Sequence, residues 1–174
     1  MALINKVLPG YVATLWMQDD VTPTPLTDSQ LSTWTGQVAD IIGTSAGGTG
    51  TAGILVPVES IPAFGADDAS ATYAVAGART GAKITTQNQV TSLTITSAWN
   101  PADPAMLQIR ADGYNGTTIR TFVIAVYDGS DTVAYAFNAR IGGLQWDMSP
   151  SAEGKFTFVV HPVGGNSYGW SNDS

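Results

Sequence analysis

A mainly β fold is what this sequence predicts: a small β-sandwich or barrel with one short flanking α-helix, a long central loop and extended terminal arms. Three observations predict it. Charged residues are only 12% of the 174, too few to cover the outer faces of several surface helices, while 44% hydrophobic residues suffice for a core. Two segments, Leu93 to Trp99 and Phe156 to Val160, alternate apolar and small or polar side chains with the period of two that a half-buried strand requires. Two β-branched and aromatic runs, Ile119 to Tyr127 and Thr132 to Ile141, flank Asp128-Gly129-Ser130-Asp131, a hairpin signal.

The elements follow in chain order. Residues 1–10 form an N-terminal arm. Tyr11 to Met17 is apolar on both faces, which predicts a strand buried on two sides, ended by Asp19-Asp20 and by Pro23 and Pro25. In Asp28 to Ile42 the spacing of Leu31, Trp34, Val38 and Ile41 fits a helix, yet Thr33-Trp34-Thr35-Gly36 and Ile41-Ile42 favour a strand. The expectation is a turn over Asp28 to Ser32, then a strand from Thr33.

Residues 43–83 form the long loop. Gly43 to Gly53 offers no side chains with which to build a core, and Gly65 to Gly81 is similarly weak. Between them lies an apolar cluster, Ile54, Leu55, Val56, Ile61 and Phe64, whose prolines keep it from becoming a central strand. Such a patch left wet would cost about 25 cal/mol per Å², so it is expected to seek a partner surface.

After the alternating strand that ends at Trp99, Asn100-Pro101-Ala102 turns the chain. Asp103 is an N-cap and Pro104 takes the first helical position, where its missing N–H is no loss. Gly113 is expected to close this short helix in a left-handed conformation. Gly142-Gly143 interrupts the second hairpin strand, but Leu144, Trp146 and Met148 resume its alternation, which predicts a bulge or sharp bend in one long strand. The C-terminal arm, 164–174, is polar except for Tyr168 and Trp170, aromatic anchors suited to docking on a neighbour. There is no internal repeat, and all 174 residues are assigned to one domain.

The side-chain inventory argues against chemistry. His161 is the only histidine, sits at a strand end beside Pro162, and reads as an ordinary strand-end residue rather than a general base. Asp19-Asp20, Asp67-Asp68 and Asp128/Asp131 lack the alternating oxygen spacing of a calcium loop. The run from Gly43 to Thr51 lacks the lysine of a phosphate-binding loop. No catalytic residue, metal site or cofactor is therefore assigned. With 14 acidic against 7 basic residues the net charge is −7 and the cations do not cluster, which disfavours gripping nucleic acid but permits a surface that DNA passes without sticking. Cysteine is absent, so disulfides and thiolate sites are too. The first residues have no charged region followed by an apolar core, and no apolar run reaches membrane-spanning length. No secretory export and no membrane partner are expected.

The order Ala13-Thr14-Leu15-Trp16, then 34–42, then Ser92 through Trp99-Asn100-Pro101, a short helix, Arg120-Thr121-Phe122-Val123-Ile124 and finally 156–163 resembles the tail tube protein of lambda-like long-tailed phages. The resemblance implies a small β-sandwich or barrel whose six copies form a ring. It implies rings stacked into a tube for genome delivery, within a virion assembled from subunits made in the host cytoplasm. Its implied partners are further copies of the chain and other tail proteins: the tape measure, the terminator and the distal tail protein. Residues 43–83 would be the assembly loop, longer than the family's stacking loop, and no immunoglobulin-like decoration follows Val163, which implies a minimal smooth tube. Ile54, Leu55, Val56, Ile61, Phe64, Tyr168 and Trp170 are the candidate assembly residues. Other readings are a tail terminator or secretion-tube ring of the same fold and, from another class, a carbohydrate-binding β-sandwich presenting Trp and Tyr platforms.

Overall fold

The computed structural model describes residues 13–42, 53–73, 82–127, 132–150, 152–163 and 168–172. One antiparallel sheet organises it, in the order β2 (Gly53–Val56), β1 (Ala13–Gln18), β6 (Arg120–Tyr127), β7 (Thr132–Asp147), β8 (Lys155–Pro162) and β5 (Leu93–Ala98). A seventh strand, β9 (Tyr168–Asn172), also pairs with β7. Strands β3 (Ala66–Tyr73) and β4 (Ala82–Val90) form a separate two-stranded ribbon. The mainly β class predicted from the sequence is the one observed.

The 16-residue β7 is the spine of the sheet. Its first half lies between β6 and β9, with Phe137 opposite both Phe122 and Tyr168. Its second half pairs with β8, and the register shifts between Gly142 and Gln145. Gly143 supplies the left-handed backbone there, φ +60°, so the predicted interruption is a bulge that re-aims the strand.

The pleat divides the central strands between two cores. Leu15, Met17, Phe122, Ile124, Tyr135, Phe137 and Ile141 point to one face, where they meet Leu93, Ile95, Phe156, Phe158 and Val160 and the helix α3 (Pro104–Asn115). Val123, Ala125, Ala134 and Ala136 point to the other. That second face is covered by a helical segment: α1 (Asp28–Leu31), a π-helical turn (Trp34–Val38) and α2 (Ala39–Ile42). The strand expected from Thr33 is thus corrected to helix. Thr27 N donates to Gln30 Oε1 at 2.9 Å, which starts the first turn. Leu31, Val38 and Ile41 then bury against the small alanines of β6 and β7. The 3.6-residue spacing prevails over the local β propensity because helical burial on that flat alanine surface is available only once the sheet exists.

A buried polar clamp seats this cover. Leu26 N donates to Thr121 Oγ1 at 3.0 Å, Asn138 Nδ2 donates to Leu26 O at 2.7 Å, and Thr121 and Asn138 bond each other at 2.7 Å. Two side chains thereby satisfy both backbone groups of Leu26 where no strand is present to do so.

Helix α3 begins as predicted. Asp103 Oδ1 accepts from Met106 N at 3.2 Å and Pro104 opens the first turn. Its end is corrected: Gly116, at φ +67°, is the left-handed cap, and Gly113 lies within the helix. A Cβ at Gly113 would stand 2.7 Å from a Leu144 methyl, so a larger residue there would have to displace the Leu144 side chain at the helix–sheet contact.

Candidate functional surface

Three regions carry the residues of interest: the margin formed by β2, the aromatic end of β5–β8, and the cleft between α3 and the end of β1.

At the first, β2 pairs with β1 so that Val56 faces Leu15 and Leu55 faces Trp16. Val56 is fully buried, and Ile54, Ile61 and Phe64 pack against the main core with Val58. Phe64 lies 5.2 Å from the Tyr135 ring. The partner surface this apolar stretch was expected to seek is supplied in part by its own chain. Pairing with β1 swings it onto the core, and Leu55, 46% exposed, is the member facing outward. Tyr168 and Trp170 fall far from it in sequence but on the same sheet: β9 sets them opposite Phe137 and Tyr135. Of the segment 43–83, residues 43–52 and 74–81 lie outside the described residues, as do the arms 1–12, 164–167 and 173–174 and the hairpin tip 128–131.

At the second, Trp99, Trp146 and Phe156 form a cluster with centroids 5.0–5.9 Å apart, and the two indoles stand at 86°. Both are part-buried against the core. Perpendicular rings fixed by packing do not offer the coplanar platform on which a sugar stacks. Nearby, Lys155 Nζ bridges Glu59 at 3.0 Å on the surface, and the hydrogen bond and charge of Glu59 raise the lysine above its ordinary value. Ser92 Oγ lies 3.1 Å from His161 Nδ1 on an exposed strand face. Among the described residues no three of His, Cys, Asp and Glu gather as a metal would need. Nor is any helix among them long and apolar enough to cross a membrane.

The third region went unread in the sequence. Arg120 begins β6 and is 1% exposed. Its Nε donates to Asp112 Oδ2 at 2.8 Å, and its Nη1 donates to the carbonyls of Gln18 and, at 2.8 Å, of Asp20. One guanidinium therefore ties α3, β6 and the end of β1 together, as its planar fork allows. Its Nη2 is buried with no partner. The group forms the floor of a cleft of about 400 Å³ walled by Asp19, Val21, Pro104, Leu107, Gln108 and Ala111. Gln108 Nε2 bonds Asp20 O at 2.6 Å along its side. A charged residue opening a β-strand carries no periodic signal, so the only sequence clue was a lone arginine beside a strand of apolar residues.

No protein-family model matches this chain, and no curated protein sequence does. Solved structures do. The sheath/tube terminator of the extracellular contractile injection system PVC, in its extended state, shares 10% identity at TM-score 0.59, over 99% of this chain and 100% of that one. The anti-feeding prophage baseplate, 6-fold symmetrised, matches at 11% identity and TM-score 0.62, over 100% and 98%. The tube-terminating cap of the anti-feeding prophage matches at 13% identity and TM-score 0.54, over 100% and 95%. This chain shares, along its whole length, the fold found in those three structures.

Proposed function

We propose that this chain is a structural ring subunit of a phage tail or tail-like injection particle. The observation that carries the reading is the end-to-end likeness to three components of such particles, with nothing large left over in either chain. Two of the three are described as terminators or caps, so a ring that closes the tube end is favoured over the repeating tube ring. The sequence resemblance to the tail tube of lambda-like phages keeps the tube ring as the second reading.

The physical features fit either role. Among the described residues β2 pairs only with β1, β5 only with β8 and β9 only with β7, so the sheet has margins that a cyclic head-to-tail arrangement would set against neighbours. The β3–β4 ribbon is a two-stranded sheet separate from the main one among the described residues, a form marginally stable in water on its own, and reads as an arm to an adjoining ring. Net charge −7 would keep an anionic passenger such as DNA from adhering to a channel wall. Negative-stain microscopy of the purified protein tests the proposal. Single or paired rings with an open bore support a terminator, and filaments support a tube. A protein monomeric at all concentrations would end both readings.

A further inference from the structure

We infer that the cleft floored by Arg120 is a docking site for residues 1–12 of a second copy of this chain, inserted as an extended peptide. The inference rests on the ring-forming reading and adds to it a specific contact.

The cleft asks for a particular occupant. Its walls are apolar and outward-facing: Val21 is 89% exposed and Leu107 38% exposed, with Pro104 and Ala111 on the same stripe of α3. Its floor is the 1%-exposed Arg120, whose guanidinium is already held by Asp112 and the carbonyls of Gln18 and Asp20. The surrounding charge is acidic, with Asp19 on the wall, Asp20 beside it and Asp112 already paired. A carboxylate ligand is therefore disfavoured, and an apolar peptide with a cation fits. Residues 1–12 are such a peptide: Leu3, Ile4, Val7 and Leu8 are apolar, Lys6 is the one charge, and there is no acid.

The positions of entry point and cleft suit docking between copies. Residue 12 is bonded to Ala13, which pairs with Val126, whereas the cleft lies at the Gln18 end of β1. The six residues between put entry point and cleft about 17 Å apart, on opposite ends of the strand. Both edges of β1 are taken, by β2 and β6, so no further strand can add along it. An arm leaving one end of a subunit and a receptor at the other is the arrangement of a heterologous, ring-closing contact.

The absence of cysteine makes the test direct. Full-length Val7→Cys and Val21→Cys proteins are mixed under mild oxidation, with Leu3→Cys as a second arm position and Glu153→Cys as an exposed control. We expect heterodimers through Val21→Cys at least tenfold above those through Glu153→Cys, and their loss when Leu107→Glu is added to the receptor. Equal yields at the two positions would overturn the inference, as would a double Val7→Cys/Val21→Cys variant that closes on itself as a monomer. Microscopy of the same samples separates the two claims. Rings without the Val21 link defeat the inference and leave the assembly standing, and monomers without it defeat both.

Discussion

Asp112→Ala puts the Arg120 network to a quantitative test. In the native protein the guanidinium is 1% exposed and its one formal counter-charge is Asp112, 8% exposed at the side chain. Removing that carboxylate leaves a buried cation facing two carbonyls, which solvate it only in part. Breaking a buried pair from one side costs about 3–5 kcal/mol. For a urea dependence of about 2 kcal/mol per molar, the unfolding midpoint should fall by about 1.5–2.5 M. The double variant Asp112→Ala/Arg120→Met removes the charge together with its partner. It deprives the carbonyls of Gln18 and Asp20 of their donor, but they sit where β1 emerges to the exposed Asp19 and Asp20, so water can replace it. Its loss should be about 1–2 kcal/mol, smaller than that of the single variant. Equilibrium urea unfolding followed by tryptophan fluorescence reads both. A single variant within about 0.3 M of the parent would refute the claim that this pair is desolvated and holds α3 to the sheet; so would a double variant less stable than the single.

Two further outcomes follow from the packing and the surface charge. Gly113→Ala should gain about 1 kcal/mol of helix propensity and lose about 1–3 kcal/mol to the collision with Leu144, and adding Leu144→Ala should reveal a coupling of at least about 1 kcal/mol in a thermal-unfolding cycle. Glu59→Gln should return Lys155 towards the ordinary lysine value of 10.5, seen by NMR titration of its side chain. Because the folded-state value is raised, the pair's stabilisation is present below that ordinary value and fades as pH climbs through the folded one. As pH rises from neutral, the parent and Glu59→Gln should therefore converge in stability under strongly alkaline conditions.

The strands and the principal helix were legible because their signals are local. Leu93–Ala98 and Lys155–Pro162 alternate with the pleat, Asp103-Pro104 starts a helix by satisfying or omitting its free N–H groups, and Gly142-Gly143 marks a bulge that backbone sterics alone suggest. The segment 28–42 was misjudged because two periodicities competed in it. Residue preference favoured a strand, and the surface of Ala125, Ala134 and Ala136 that decides for a helix lies about a hundred residues away. The cap falls at Gly116 rather than Gly113, which lies inside the helix against the Leu144 side chain of the sheet. Of the candidate assembly residues, Val56, Ile54, Ile61 and Phe64 find company in their own chain, which hydrophobicity alone cannot distinguish from company in a neighbour's.

The residue order by itself determined a mainly β chain with a capped helix and a bulged hairpin strand, poor in the groups that catalysis uses. Those properties depend on backbone sterics, side-chain period and composition, which act within a few residues. Tertiary structure alone decided that a helical cover seats on the back of β6 and β7, that the apolar stretch 54–64 joins the core, and that Arg120 reaches Asp112, Gln18 and Asp20 at once. Each of these pairs groups distant along the chain. Their energy comes from burial and from hydrogen bonds made in the absence of water, and neither exists until the sheet has brought the partners together.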